Sequence, residues 1–292
     1  MLQALQIVIS GAAQGCIYGL IALGLVLIYK TTETVSFAHG ELMMLGAFAG
    51  YGLMTLAGFP FWLAFLTTIL AMGLFGVALE RIVIRPILGQ PAFTLVMLTI
   101  GIGYAARGLV TMIPGIGTET HTLAVPYKDQ TWNVGALVLN VEQMVVIAAT
   151  ALLSAALYAM FRYTRVGVAM QASSQNQLAA YYMGIPVQRL NGLVWGLAAA
   201  VAAVAGLLLA PITFVYANMG FIGLKAIPAA VVGGFGSLPG AIVGGLVIGI
   251  VESLSGFYLP EGFKDIAPYV VVLVMLVVRP NGLFGDKLRK KV

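Results

Sequence analysis

Charge is what this sequence has least of. Of 292 residues only 9% are Asp, Glu, Lys or Arg, while 61% are hydrophobic and the mean hydropathy is +1.01. A soluble domain carries about 25% charged residues, so the composition excludes one. A single cysteine, Cys16, lies in the first apolar run. Alone, it excludes an internal disulfide and a cysteine metal cluster, and it reads as a small apolar packing residue. The two histidines, His39 and His121, are far apart, and HExxH, CxxC and GxSxG are all missing. No Gly-Lys pair occurs, so a GxxxxGKS or GxxxxGKT nucleotide loop is impossible. With no catalytic constellation, neither enzymatic activity nor a cofactor or metal is expected.

What remains is a succession of long apolar runs. They are long enough for spanning helices of about 20 residues and too blocky for the alternating strands of a barrel. The fold expected is all-α and integral to the membrane, a single polytopic transmembrane domain over 1–292. Spans are expected at 7–29, 42–56, 61–79, 92–113, 142–161, 192–212, 241–257 and 266–278, with a short irregular crossing at 221–234. That makes about nine helices (eight to ten). The loop at 114–140 is expected to hold short extended structure near 134–141. The first ten residues lack the basic region of a cleaved leader, so the first span is expected to stay.

The net charge of +5 does not point to nucleic acid, because no basic helix and no aromatic-basic interleaving accompanies it. Lys and Arg cluster instead at Arg81/Arg85, at Arg162/Arg165/Arg189 and in the tail Lys287, Arg289, Lys290, Lys291. Such clustering marks the cytoplasmic side, which puts the N-terminus outside and the C-terminus inside.

Four stretches stand out. The polar interruption 161–191 must face water, since burial would strand its backbone and side-chain groups. Within it, Ser173 or Ser174 is expected to cap a short helix running from about Ser174 to Met183, stopped by Gly184-Ile-Pro186. Its face of Leu178, Tyr182 and Met183 suits a groove on a partner protein. The second stretch, Ser36 to Glu41, reads either as a discontinuous helix at membrane depth or as a tight cytoplasmic turn with His39 and Glu41 solvated. In the third, Gly233 to Gly245, glycines indicate a break, read either as a hinge near a path or as a packing seam. A fourth set, Gly11, Gly15 and Gly19, offers a smooth face to another helix. Arg107 lies at depth, either meeting a substrate carboxylate or lipid headgroup or paired structurally. Glu252 is a second candidate for an ionisable group at depth, but its place toward the outer end of its span favours an interfacial acid.

Taken together, Ser36-Phe-Ala-His-Gly-Glu41, Glu80-Arg-x-x-x-Arg-Pro86, Thr164-Arg-x-Gly167 with Ala172, Asn176, Ala180 and Gly184-Ile185, and Gly233-Gly-x-Gly-Ser237 through Gly240-Ala and Gly244-Gly245 form a specific pattern. The chain resembles the permease subunits of branched-chain amino-acid ABC importers over nearly its whole length. It departs at Ser36, where the family usually has Asn, and at Met170 or Gln171, where an Arg is frequent.

The resemblance implies a helical permease in a bacterial inner membrane, paired with a second homologous permease subunit. Two cytoplasmic ATP-binding subunits and an extracytoplasmic amino-acid-binding protein would complete the assembly, with membrane lipid around it and no nucleic acid. It implies an ATPase-coupling role for the loop 162–190, at Arg165, Gly167, Ala172, Asn176, Ala180 and Gly184. It further implies a translocation path or gate at Phe37, His39, Gly40, Glu41, Arg107, Gly233, Gly234, Gly236 and Ser237. The substrate expected is leucine, isoleucine or valine. Another small amino acid, an amide or urea remains an alternative, as does a gradient-driven carrier or channel working alone.

Overall fold

In an apolar solvent a chain satisfies its backbone only within helices or closed barrels, and helices dominate here. The computed structural model describes residues 2–134 and 137–285; the basic tail from Lys287 lies outside the described residues. The helices are α1 (Leu2–Thr32), α2 (His39–Thr55), α3 (Phe61–Leu79), α4 (Ala92–Thr111), α5 (Val141–Tyr163), α6 (Arg165–Gln175), α7 (Gln177–Tyr182), α8 (Val187–Thr213), α9 (Ala226–Gly233), α10 (Leu238–Tyr258) and α11 (Phe263–Val278). Three of them begin directly after a proline: Pro60, Pro91 and Pro186 precede α3, α4 and α8. Proline fixes φ without spending a helix hydrogen bond, so it serves as a start signal.

Six described helices are long and apolar enough to cross a membrane: Gln3–Thr32, Phe61–Ile87, Ala92–Thr111, Val141–Tyr163, Val187–Thr213 and Leu238–Tyr258. The remaining expected spans are shorter. α2 has 17 residues, α11 has 16, and Ala217–Gly233 is a composite of a 3-10 stretch (Ala217–Lys225) running into α9. Extended structure in the long loop is confirmed as an antiparallel hairpin of β1 (Thr131–Val134) and β2 (Leu137–Asn140).

α1 and α8 are the enclosed helices, whereas α3, α4, α5 and α11 show large apolar side chains outward. α8 is built from small residues, AAAVAAVAG, which lets neighbours approach closely. α1 and α10 run antiparallel along a glycine seam. A methyl group at Gly15 would fall 2.8 Å from the Leu246 Cα, and one at Gly19 would fall 3.1 Å from the Ile242 Cα. The seam explains Gly11, Gly15 and Gly19 together with Gly245 and Gly249, all of which pack backbone against backbone.

Tertiary contacts sort the loops into two ends. At one end the His121 and Val215 backbones pair at 2.9 and 2.8 Å, the His121 ring stacks on Tyr51 at 4.3 Å, and Gln143 donates to Ser10 at 3.2 Å. At the other, Gln177 donates to the Thr31 carbonyl, Arg85 donates to the Gln188 carbonyl at 3.1 Å, and Leu283 N–H meets the Val232 carbonyl at 2.9 Å.

The seam generates a test. Gly249→Leu is expected to lower the detergent-solubilised melting temperature by the equivalent of about 1–3 kcal/mol of overpacking. Gly52→Ala, where an added methyl meets nothing within 4 Å, is expected to be neutral or stabilising. Equal melting of both variants would exclude a close seam.

Candidate translocation and coupling sites

The segment between α1 and α2 is a break that returns into the bundle. Ser36, His39 and Glu41 are all buried, which excludes the solvated turn and supports the discontinuous reading. The unwound backbone finds partners from other helices: Phe37 N–H donates to Thr99 Oγ1 on α4 at 3.2 Å. Gly40 rests directly on the backbone of Gly220 and Gly223, so the break before α2 and the 3-10 stretch Ala217–Lys225 meet face to face. Side chains at these three positions would force the two segments apart.

Charge collects at this junction. Glu41 at the start of α2 and Arg107 near the end of α4 form a mostly buried ion pair. The Arg107 guanidinium lies 3.8 Å from the Phe221 ring centroid, a cation–π contact. Beside the pair is a cavity of about 260 Å³ lined by Phe37, Glu41, Ile100, Tyr104, Arg107 and Phe221, among others. It is mostly apolar with one charged pair in its wall, the composition of a small-solute pocket. His39 takes no part in the lining; its imidazole is buried against the backbone of Gly24.

The four glycine-break residues lie elsewhere. α9 stops at Gly233, Gly234 takes φ +97°, and Ser237 Oγ caps α10 by accepting from Gly240 N–H at 3.1 Å. Carbonyls left open at the end of α9 accept from Leu283 and Phe284, at 2.9 and 3.1 Å. Gly236 and Ser237 line a separate cavity with Lys30 and Arg162. The expected path residues thus divide into two groups at different levels of the bundle.

Glu252 is no solvated interfacial acid. It is buried on α10 and accepts from Lys225 Nζ at 2.8 Å; the same ammonium donates to Asp265 on α11, also at 2.8 Å. Burial of a carboxylate is tolerable only with such a partner.

The expected coupling helix proves to be two. Thr164 Oγ1 caps α6 by accepting from Gly167 N–H at 3.1 Å, and Asn176 Oδ1 caps α7 by accepting from Ala179 N–H at 2.9 Å. Neither Ser173 nor Ser174 caps: Ser173 is buried within α6, and Ser174 Oγ donates back to the Gln171 carbonyl at 2.8 Å. Asn176 wins because its backbone is extended, with φ −159° and ψ 102°, leaving its amide oxygen over the next turn.

α7 buries Ala180 and exposes Leu178, Tyr181, Tyr182 and Met183, the last two at 77% and 83%. Gly184 ends it with φ +81°, a region open to glycine at little cost. Gly167 sits on the end of α5, where a methyl group would fall 2.7 Å from the Phe161 carbonyl. Ala172 accepts from Asn176 N–H at 3.3 Å, and Arg165 is exposed at the first position of α6.

The sequence motif at Glu80–Pro86 acquires a physical meaning. A π-helical turn, Glu80–Ile84, follows α3, and its five-residue period brings Arg85 onto Glu80. Arg85 Nη2 and Nε reach the two carboxylate oxygens of buried Glu80 at 2.7 and 3.2 Å. The guanidinium also holds the Gln188 carbonyl at the start of α8.

Broken crossings that meet around a paired charge are the architecture of proteins that pass solutes through a bilayer, and this chain is a multi-pass, non-catalytic permease. The family model described as "Branched-chain amino acid transport system / permease component" matches residues 7–278. The chain is 32% identical over 305 residues to the high-affinity branched-chain amino acid transport system permease protein LivH of Salmonella typhimurium, covering 99% of this chain and 97% of that one. It is 28% identical to the corresponding BraD of Pseudomonas aeruginosa, covering 99% and 98%. It is likewise 28% identical to the probable branched-chain amino acid transport permease protein LivH of Methanocaldococcus jannaschii, covering 93% and 89%. The chain belongs to this permease family.

The ion pair gives the second test. Arg107→Gln strands a buried carboxylate, and removal of one partner costs about 3–5 kcal/mol. The double variant Glu41→Gln/Arg107→Gln is expected to recover most of that loss in a thermal melt. A double variant as unstable as the single one would show that the two side chains are not coupled.

Proposed function

We propose that this chain is the membrane-spanning subunit of an ATP-driven importer that carries leucine, isoleucine and valine across the inner membrane. The observation that carries the reading is full-length similarity to high-affinity branched-chain amino acid permeases. A chain with no nucleotide loop and an exposed, capped aromatic helix agrees with it, because the energy must then come from elsewhere. Two cytoplasmic ATP-binding subunits dock on the coupling loops of the permease pair, one of them on α7 and its flanks in this chain. A second homologous permease subunit and an extracytoplasmic amino-acid-binding protein complete the assembly.

The reading includes nine crossings, with α2 and Ala217–Gly233 each counted as one broken span. The N-terminus is then outside and the C-terminus cytoplasmic. Antiparallel packing of α1 on α10 supports this parity, and so does the gathering of Lys30, Arg81, Arg85, Arg162, Arg165 and Arg189 toward the end that bears α6 and α7. Phe37, Gly40, Glu41 and Arg107 form the wall of the path, with His39 behind them. Gly233, Gly234, Gly236 and Ser237 form its cytoplasmic gate. Arg165, Gly167, Ala172, Asn176, Ala180 and Gly184 shape the coupling surface, in which Ala180 seats α7 and Gly184 turns the chain back.

Radiolabelled leucine uptake by the assembled transporter tests the reading. Uptake is expected to require ATP and to be competed by isoleucine and valine. Ala180→Glu or Gly184→Val is expected to reduce uptake at least about tenfold, the effect of losing ~1.4 kcal/mol of docking, while the protein still inserts and ATP hydrolysis continues. Leucine uptake that survives deletion of the ATPase partners would refute the proposal, and normal coupling in both variants would remove α7 from the docking role.

A further inference from the structure

Two cavities between α5 and α10 adjoin each other, and together they have the shape of an amphiphile. The upper one, about 540 Å³, is a groove floored by Leu23 of α1 and walled by Ala155 and Leu157 of α5 and Ile242 and Val243 of α10. Its lining is almost wholly apolar. The lower one, about 300 Å³, shares Tyr158, Leu238 and Pro239 with the groove and adds Lys30, Arg162, Gln171 and Ser237. The groove therefore opens at its foot into a chamber with two basic side chains, and among the described residues neither lining includes an acid. Glu33 lines an adjoining recess together with Lys30.

Arg162 is held for such a role. Its Nη1 donates to the Tyr158 hydroxyl at 2.6 Å, and its guanidinium stands 5.8 Å from the centroids of both Tyr158 and Tyr163. The Tyr158 contact draws the guanidinium toward the mouth of the groove while the side chain stays exposed. Tyr158 itself reaches from the apolar wall to the polar chamber, the position amphipathic aromatics take at a membrane surface.

We propose that this composite groove binds an anionic phospholipid, with one acyl chain lying between α5 and α10 and the phosphodiester between Arg162 and Lys30. Charge and shape select the occupant. A basic chamber at the foot of an apolar interhelical slot matches a phosphate joined to a hydrocarbon chain, whereas the apolar groove gives a free anion nothing to bind. A protein helix would leave the basic chamber beyond the shared residues Tyr158, Leu238 and Pro239 without a partner anion.

Native mass spectrometry of the full-length chain, purified with its partner subunits in micelles doped with palmitoyl-oleoyl phosphatidylglycerol or phosphatidylcholine, tests the proposal. Phosphatidylglycerol is expected to be retained preferentially, and Arg162→Gln to weaken that preference by about fivefold, the contribution of one basic residue facing an anionic headgroup. Ala155→Trp fills the groove from an exposed position and is expected to reduce retention of both lipids. Glycerol phosphate in solution is expected not to displace the lipid. Equal retention of the two lipids would overturn the proposal. So would displacement by glycerol phosphate, or an Ala155→Trp protein that keeps its lipid. Efficient cross-linking of an Ala155→Cys variant to the second permease subunit would overturn it too, by filling the groove with that subunit.

Discussion

Lipid offers the backbone no hydrogen bonds, and this constraint governs where the chain can depart from a helix. Several of its departures are met by another part of the protein. Phe37 N–H finds Thr99, the backbone at Val215 pairs with His121, and the open end of α9 is closed by Leu283 and Phe284. The breaks are thus not independent defects. The turn before α2 and the 3-10 stretch after α8 lie against each other through Gly40, Gly220 and Gly223, so neither can unwind or rewind without the other responding. Glycine is needed there for the approach itself: with a side chain on each strand of backbone, the two irregular segments could not touch.

Buried charge follows the same segment. Arg107 covers the Phe221 ring, Glu41 presses its carboxylate on Gly220, and Lys225 at the end of the stretch is tied to Glu252 and Asp265. An ion pair in a low-dielectric setting is weak evidence of stability, since apolar packing of equal volume would often serve as well. What a pair supplies instead is geometry, because a carboxylate and a guanidinium hold at one distance and in few orientations. Ala217–Lys225 is therefore fixed at several points by discrete contacts in addition to the burial of Met219 in the core. Such contacts are made or lost as units, which is the property a moving segment needs.

Some span boundaries were legible because their signals are local. Pro60 and Pro91 mark helix starts, and α3 begins and ends as hydropathy alone predicts. α8 instead begins at Val187, five residues before the expected span at 192, because Pro186 reads as the stop of the preceding helix and not as the start of the next. The glycines of α1 were readable as a packing face, although their partner on α10 was not, since spacing names a surface and not its neighbour. Two readings failed and one contact was missed, each for a physical reason. Asn176 displaced the serine pair as the α7 cap because the winning residue is the one whose backbone leaves the helix, which side-chain propensity does not report. Glu252 was taken for an interfacial acid because its partner Lys225 is 27 residues away. The Glu80–Arg85 contact stayed hidden because a spacing of five falls on one face only in a π-helical turn, which no periodic pattern announces.

The proposed coupling segment also gains meaning from where it is anchored. Gln177 at the start of α7 holds the Thr31 carbonyl at the end of α1, and the chain after Gly184 passes directly into α8, whose first turn Arg85 and Glu80 secure. α1 and α8 are both enclosed helices. α1 leads within a few residues into the break before α2, and α8 leads at its far end into the 3-10 stretch that this break touches. On the proposed docking role, a displacement of α7 by a partner would act on both helices at one end of the bundle, and both terminate in the irregular segments that meet at Gly40. Rigid helices transmit such a shift with little loss, while the packed interior resists intermediate positions. On the proposed function, hydrolysis in a partner subunit needs no further linkage to reach the Glu41–Arg107 cavity: the two helices that receive the push are continuous with the two broken segments that form its wall.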